Sequence, residues 1–179
     1  MKYVKWIVVV IFIAMLILMK RYDKLFQAYG MTKSLETQFG YSSSDVYSTF
    51  QTLGSSGRKL FIQYFFVDYI FILCYGAIQI FILKWLLGER FKKTMLKYII
   101  FIPIVGCTCD ILENLLFTFL MVQIPNEHFK IVSVASYATR IKLIAYAVGF
   151  ISIGAIGILR LVTNLIVRYK NKDNRLKGA

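Results

Sequence analysis

Residues 60–87 read LFIQYFFVDYIFILCYGAIQIFILKWLL, and residues 97–124 read KYIIFIPIVGCTCDILENLLFTFLMVQI. At ~1.5 Å per helical residue, each run is long enough to cross a ~30 Å hydrocarbon core with some tilt. Both are too long and too continuously apolar for strands, so they predict transmembrane helices. Pro103 lies inside the second run, where a missing backbone donor predicts a kink near Ile99, and Pro125 stops the helix.

The connection between them is basic. Lys84, Arg90, Lys92, Lys93 and Lys97 crowd it, opposed by Glu89. Short loops rich in Lys and Arg stay in the cytoplasm, so this loop is expected there. Working outward, residues 131–167 form a further apolar run that holds Arg140, Lys142 and Arg160 and is expected to be long and tilted. Its Gly149, Gly154 and Gly157, with Ala145 and Ala155, offer small surfaces for close approach of another helix.

At the other end, a short basic start precedes the apolar run Trp6 to Met19. That layout is shared with signal peptides, but Lys20 and Arg21 follow it in place of an A-x-A-like cleavage site, which predicts an uncleaved span over 3–20. An even number of spans puts both termini in the cytoplasm with the basic loop. The basic tail 168–179, with Arg168, Lys170, Lys172, Arg175 and Lys177, agrees.

The outer loop, 20–59, contains the longest polar stretch. Within it residues 41–54 read as a short capped helix: serines for the N-cap, Val46, Phe50 and Leu53 at helical spacing, and Gly54 as the stop. Gly54-Ser55-Ser56-Gly57 is expected to break the chain before Arg58 and Lys59 anchor the next span. The expected architecture is all-α: one membrane domain over 1–179, a four-helix bundle in the cell membrane with a short extracytoplasmic interfacial helix in its first loop.

Composition agrees. Of 179 residues, 58% are hydrophobic, and the mean hydropathy is +0.63, beyond the ~45 to 50% apolar share of soluble domains. The net charge of +13 sits beside apolar runs, where it meets anionic lipid headgroups, so nucleic acid is not expected as a partner. Cys74, Cys107 and Cys109 lie in apolar runs without a C-x-x-C motif, which excludes a loop disulfide framework. No cofactor motif is present.

The functional question rests on polar residues inside the apolar runs. An ionised side chain near the bilayer centre costs ~2.5 to 3.5 kcal/mol on the insertion scale, against ~0.3 to 0.6 returned by each Leu, Ile, Phe or Val. With about fifteen such apolar residues, the third span gains ~4.5 to 9 kcal/mol against ~5 to 7 for two central acids, so alone it inserts only marginally. Its acids therefore need shelter from neighbouring helices.

Asp110, Glu113 and Asn114 fall at i, i+3 and i+4, on one face with Pro103, Cys107 and Phe117. In the second span Tyr64, Asp68, Tyr75 and Gln79 form a comparable stripe. Asp68, Glu113 and Lys142 all lie roughly 12 to 17 Å from the outer ends of their helices by helical rise. This predicts a polar layer in the outer half of the membrane made by Asp68, Tyr75, Asp110, Glu113, Asn114, Arg140 and Lys142, with Lys142 or Arg140 bonded to Asp110 or Glu113.

The Tyr-rich Ser/Asp helix, Gly54-x-x-Gly57-Arg58, Asp68 with Tyr75, Asp110-Ile-Leu-Glu113-Asn114 and Ala135-Ser136-x-x-Thr139-x-x-Lys142 occur in an order that resembles a family of bacterial four-span membrane proteins with a D-x-x-E-N motif in the third span. The resemblance covers residues 41 to 142 and implies no activity; it treats those positions as one unit. Size and span number also invite comparison with the sterol isomerase and sigma-2 receptor superfamily and with four-span disulfide-generating quinone reductases. Both comparisons fail at residues, because the paired cysteines are missing and His128 lies in a loop.

Four readings of the cluster follow. It fixes helix register and nothing more; or it holds a lipid-like or amphipathic molecule, which asks least of the residues; or it is an enzyme acting on a lipid or isoprenoid, with Asp110 or Glu113 as general acid or base tuned by Lys142. The fourth is a proton or cation conductor, which in a chain of four short spans requires an oligomer. A metal site is not expected, since the carboxyls lack D-D-x-x-D clustering and nearby histidines. Partners in these readings are membrane lipids, a lipid-like ligand, and a second copy or another membrane protein.

Overall fold

A computed structural model describes residues 2–31, 34–88 and 95–177, with side chains at 3–31, 34–88 and 98–169. The regular elements there are helices: α1 (Lys2–Ala28), α2 (Ser43–Leu87), α3 (Phe101–Gln123) and α4 (Phe129–Lys177), with short 3-10 turns at Leu35–Thr37 and Met95–Ile100. The stretches Tyr3–Ala28, Ser43–Leu87, Tyr98–Gln123 and Phe129–Tyr169 are each long and apolar enough to cross a membrane. The protein is an all-α membrane bundle, as expected. The basic residues Arg90, Lys92 and Lys93 with Glu89 lie outside the described residues, as do the side chains of Lys97, Lys170, Lys172, Arg175 and Lys177.

The helix expected over 41–54 opens α2. Ser42 caps it: its Oγ accepts from the Asp45 amide at 3.3 Å, while the Ser42 amide donates to Asp45 Oδ2 at 2.8 Å. The Ser42 hydroxyl also donates to Asp45 Oδ2 at 2.6 Å, and this bond, with that from the Ser42 amide, holds the Asp45 carboxyl below its ordinary pKa. The break is narrower than expected. Gly54 alone leaves helical geometry, at φ 61° and ψ −173°, a region essentially restricted to glycine. Helix resumes at once, so residues 55–57 belong to the long segment that follows. Arg58 Nη1 reaches back to donate to the Phe50 carbonyl at 3.1 Å, satisfying a group near the interruption.

Two further boundaries and one packing surface differ from expectation. The first helix continues past residue 20 to Ala28, because Phe26 is buried between Phe61 and Tyr64, with centroids at 4.7 and 5.5 Å, while Lys20, Arg21 and Lys24 face outward. Pro103 does not kink a continuous helix. A 3-10 turn leads to Ile100, and Pro103 falls in the first turn of α3, where an amide has no carbonyl to bond and its loss costs little. The α4 glycines also divide. A Cβ at Gly149 would meet Gln79 at 3.3 Å, whereas Gly154 and Gly157 have no such neighbour within 4 Å.

Sequential neighbours pack together, α1 along α2 and α3 along α4. The buried apolar core lies toward the end where α1 finishes and α2 begins. There Val46, Phe50 and Leu53 of the capped segment pack with Phe61, Phe65, Phe117, Leu120 and Val132. The segment 34–53 thus closes that end of the bundle and sits directly above the polar side chains.

Candidate functional site

The i, i+3, i+4 spacing on α3 turns Asp110, Glu113 and Asn114 to one face, and α4 meets that face with Thr139, Lys142 and Tyr146. Lys142 Nζ donates to Asp110 Oδ1 at 2.9 Å and to Glu113 Oε2. Tyr146 donates its phenolic proton to the other Asp110 oxygen at 2.8 Å. Thr139 donates to Glu113 Oε1, and the Tyr41 hydroxyl lies 3.0 Å from Thr139 Oγ1 and 3.2 Å from the same carboxylate oxygen. From α2, Asp68 Oδ2 accepts from Asn114 Nδ2 at 2.7 Å.

Glu113, Asn114 and Thr139 are 0% exposed, and Asp68, Asp110 and Lys142 are buried with them. Water therefore does not screen these interactions, and an ion pair in such surroundings holds only because further hydrogen bonds satisfy the remaining oxygens.

Small residues make the geometry possible. A Cβ at Gly106 would lie 2.6 Å from the Tyr146 ring, so glycine lets this ring pack against α3 and aim its hydroxyl at Asp110. At Gly40, φ of 96° turns the chain so that the Tyr41 amide donates to the buried Ser136 Oγ at 3.0 Å while its ring packs 5.4 Å from Phe117. Burial, reinforced by Glu113, raises the Tyr41 phenol above its ordinary value, so it acts here as a neutral donor.

Five expected residues, Asp68, Asp110, Glu113, Asn114 and Lys142, come together. Arg140 does not join them. Two residues from Lys142, it is rotated by about 200° on the helix. Exposed, it lies over the Tyr137 ring at 5.5 Å, with its guanidinium against Gly40. Tyr75 stands beside the cluster: it meets Tyr146 edge-on at 4.9 Å and accepts from Gln79 Nε2 at 2.7 Å, with no bond to a carboxyl.

Sequence reasoning missed Glu36. The turn Leu35–Thr37 buries Leu35 and carries the Glu36 carboxyl inward, where Oε1 is enclosed with no hydrogen-bond partner among the described residues. Asp68 of α2, Asp110 and Glu113 of α3 and Lys142 of α4 all act on it electrostatically. Burial first, then the Asp68 charge, raises this carboxyl well above the usual range. A lone acid in a polar loop carries no periodic signal, so the pattern gave no reason to single it out. Among the described residues no group of His, Cys, Asp and Glu is arranged to hold a metal ion. No family model, curated protein or solved structure matches the chain.

Because the folded protein binds the Glu36 proton more tightly than the unfolded chain does, this group's stabilising effect is complete below pH ~4.5 and is lost as pH rises toward its folded value. The melting temperature in nanodiscs is expected to fall as pH rises above ~4.5, and Glu36→Gln is expected to flatten that slope. Equal slopes for the two proteins would contradict the placement of Glu36.

Proposed function

We propose that the bundle binds a lipid-like or amphipathic molecule, taking its polar end at the cluster of Asp68, Asp110, Glu113, Asn114 and Lys142 while its apolar part stays in the membrane. The observation that carries this reading is an imbalance. Among the described residues four carboxyls, those of Glu36, Asp68, Asp110 and Glu113, share one cluster with a single ammonium, and two enclosed acceptor oxygens have no donor. Fixing helix register takes one acid and one base. Each further buried carboxyl and unmet acceptor costs stability without improving the register, which is the signature of a site kept for binding.

Purification in native-lipid polymer discs followed by mass spectrometry tests it. One defined molecule at 1:1 stoichiometry is expected on the wild-type protein and lost from the Asp110→Asn and Glu113→Gln variants. A wild-type spectrum free of any such species contradicts the reading.

The same proposal places the protein in the cell membrane with both termini in the cytoplasm and the segment 34–53 outside. The excess of Lys and Arg in the loop after α2 and in the tail supports this orientation. Reporter fusions at residue 179 are expected to be active only with a cytoplasmic reporter; activity of a periplasmic-type reporter there would reverse the topology.

A further inference from the structure

The cluster has two halves with different hydrogen-bond accounts. Around Lys142, donors match acceptors: the ammonium, Tyr146 and Thr139 supply both carboxylates of α3. Around Asp68 they do not. Asn114 gives its Nδ2 to Asp68, but its Oδ1, on a side chain with 0% exposure, has no partner, and neither has the enclosed Oε1 of Glu36. Both unmet atoms are acceptors, and the adjoining group is another carboxyl. Among the described residues Lys142 is the one cation bonded within the cluster, and it is already committed to Asp110 and Glu113. With Glu36 ionised, this half is short, among the described residues, of N–H or O–H donors and of positive charge.

Resting on the binding reading above, we infer that the Glu36–Asp68–Asn114 half recognises a primary ammonium head group carried on an apolar chain. The protein contains an example of this chemistry in the other half of the cluster. Lys142 is a primary ammonium on a four-methylene stem, inserted from the side and shared between two carboxylates. A second ammonium of that kind would supply up to three N–H donors to the unmet oxygens and offset the excess acid.

Other heads fit less well. A trimethylammonium group has the charge but no N–H, so the acceptors stay unmet. An alcohol has one donor and no charge, and an anionic head meets carboxyls. Glu36 is the member of this half that no long helix carries, since it comes from the turn Leu35–Thr37.

The test uses full-length protein in phosphatidylcholine nanodiscs, titrated with dodecylamine, dodecyltrimethylammonium or dodecanol, with the melting midpoint as readout. Dodecylamine is expected to raise the midpoint at concentrations at least about tenfold below those at which dodecyltrimethylammonium acts. Glu36→Gln and Asp68→Asn are each expected to abolish that preference, with the unliganded midpoint of each variant as its reference. Glu36→Gln, outside the long helices, serves if Asp68→Asn fails to fold. A parallel rise when phosphatidylethanolamine replaces part of the phosphatidylcholine supports a bulk lipid as the source of the head group, whereas a rise with dodecylamine alone supports a single-chain amine.

Equal responses to the amine and the quaternary ion, or an amine response unchanged in both variants, overturn the inference. The binding reading itself survives that result if a molecule still co-purifies at 1:1. No response to any amphiphile, together with an empty mass spectrum, defeats both.

Discussion

Carboxylates held in an apolar medium must be met by a cation, and here Lys142 of α4 meets Asp110 and Glu113 of α3. Because α3 has only a marginal surplus of insertion energy with two acids aboard, its stable position depends on this contact with α4. The rest of the site follows from it. With the register of α3 against α4 fixed, Tyr146 lies over Gly106 and reaches Asp110, and Thr139 reaches Glu113. Tyr41, anchored on Ser136, then closes the group from outside the long helices. The capped segment above, with Val46, Phe50 and Leu53 turned inward, covers what the four long helices leave open.

That arrangement accounts for one acid pair and one base, and leaves three polar groups of the cluster outside it. Asp68, Asn114 and Glu36 form an annex in which acceptors outnumber donors. Their burial is costly, and the α3–α4 register is fixed without them. An excess of this kind, next to a satisfied pair, is what a ligand with donors to offer would relieve, and it is the basis for reading the bundle as a binding protein.

Much of this was legible because the signals were local. Long apolar runs gave the helices, the serines ahead of Asp45 and Gly54 gave the limits of the capped segment, and the spacing of Asp110, Glu113 and Asn114 gave a shared face. Depth offered Lys142 or Arg140 as the counter-ion. Arg140 shared that depth, but its position round the helix put it outside, over Tyr137. Pro103 marked a disturbance correctly and its form wrongly, since a preceding 3-10 turn made it an N-terminal residue of α3 and not an interior one. Glu36 was not legible at all. Its burial depends on a non-repetitive turn, Leu35–Thr37, docking between helices that are distant in sequence, and no pattern along the chain encodes that.

The central claim is that a cation from one helix compensates acids on another inside the membrane. A stability cycle in nanodiscs on Lys142→Met, Asp110→Asn/Glu113→Gln and the three changes combined measures it most directly. Lys142→Met alone should cost about 3 to 5 kcal/mol, the range for stranding a buried charge, and the combined variant should recover most of that loss by removing the stranded acids with their partner. If the losses simply add, so that the triple variant is less stable than either parent, the ion pair is not what holds α3 and α4 together.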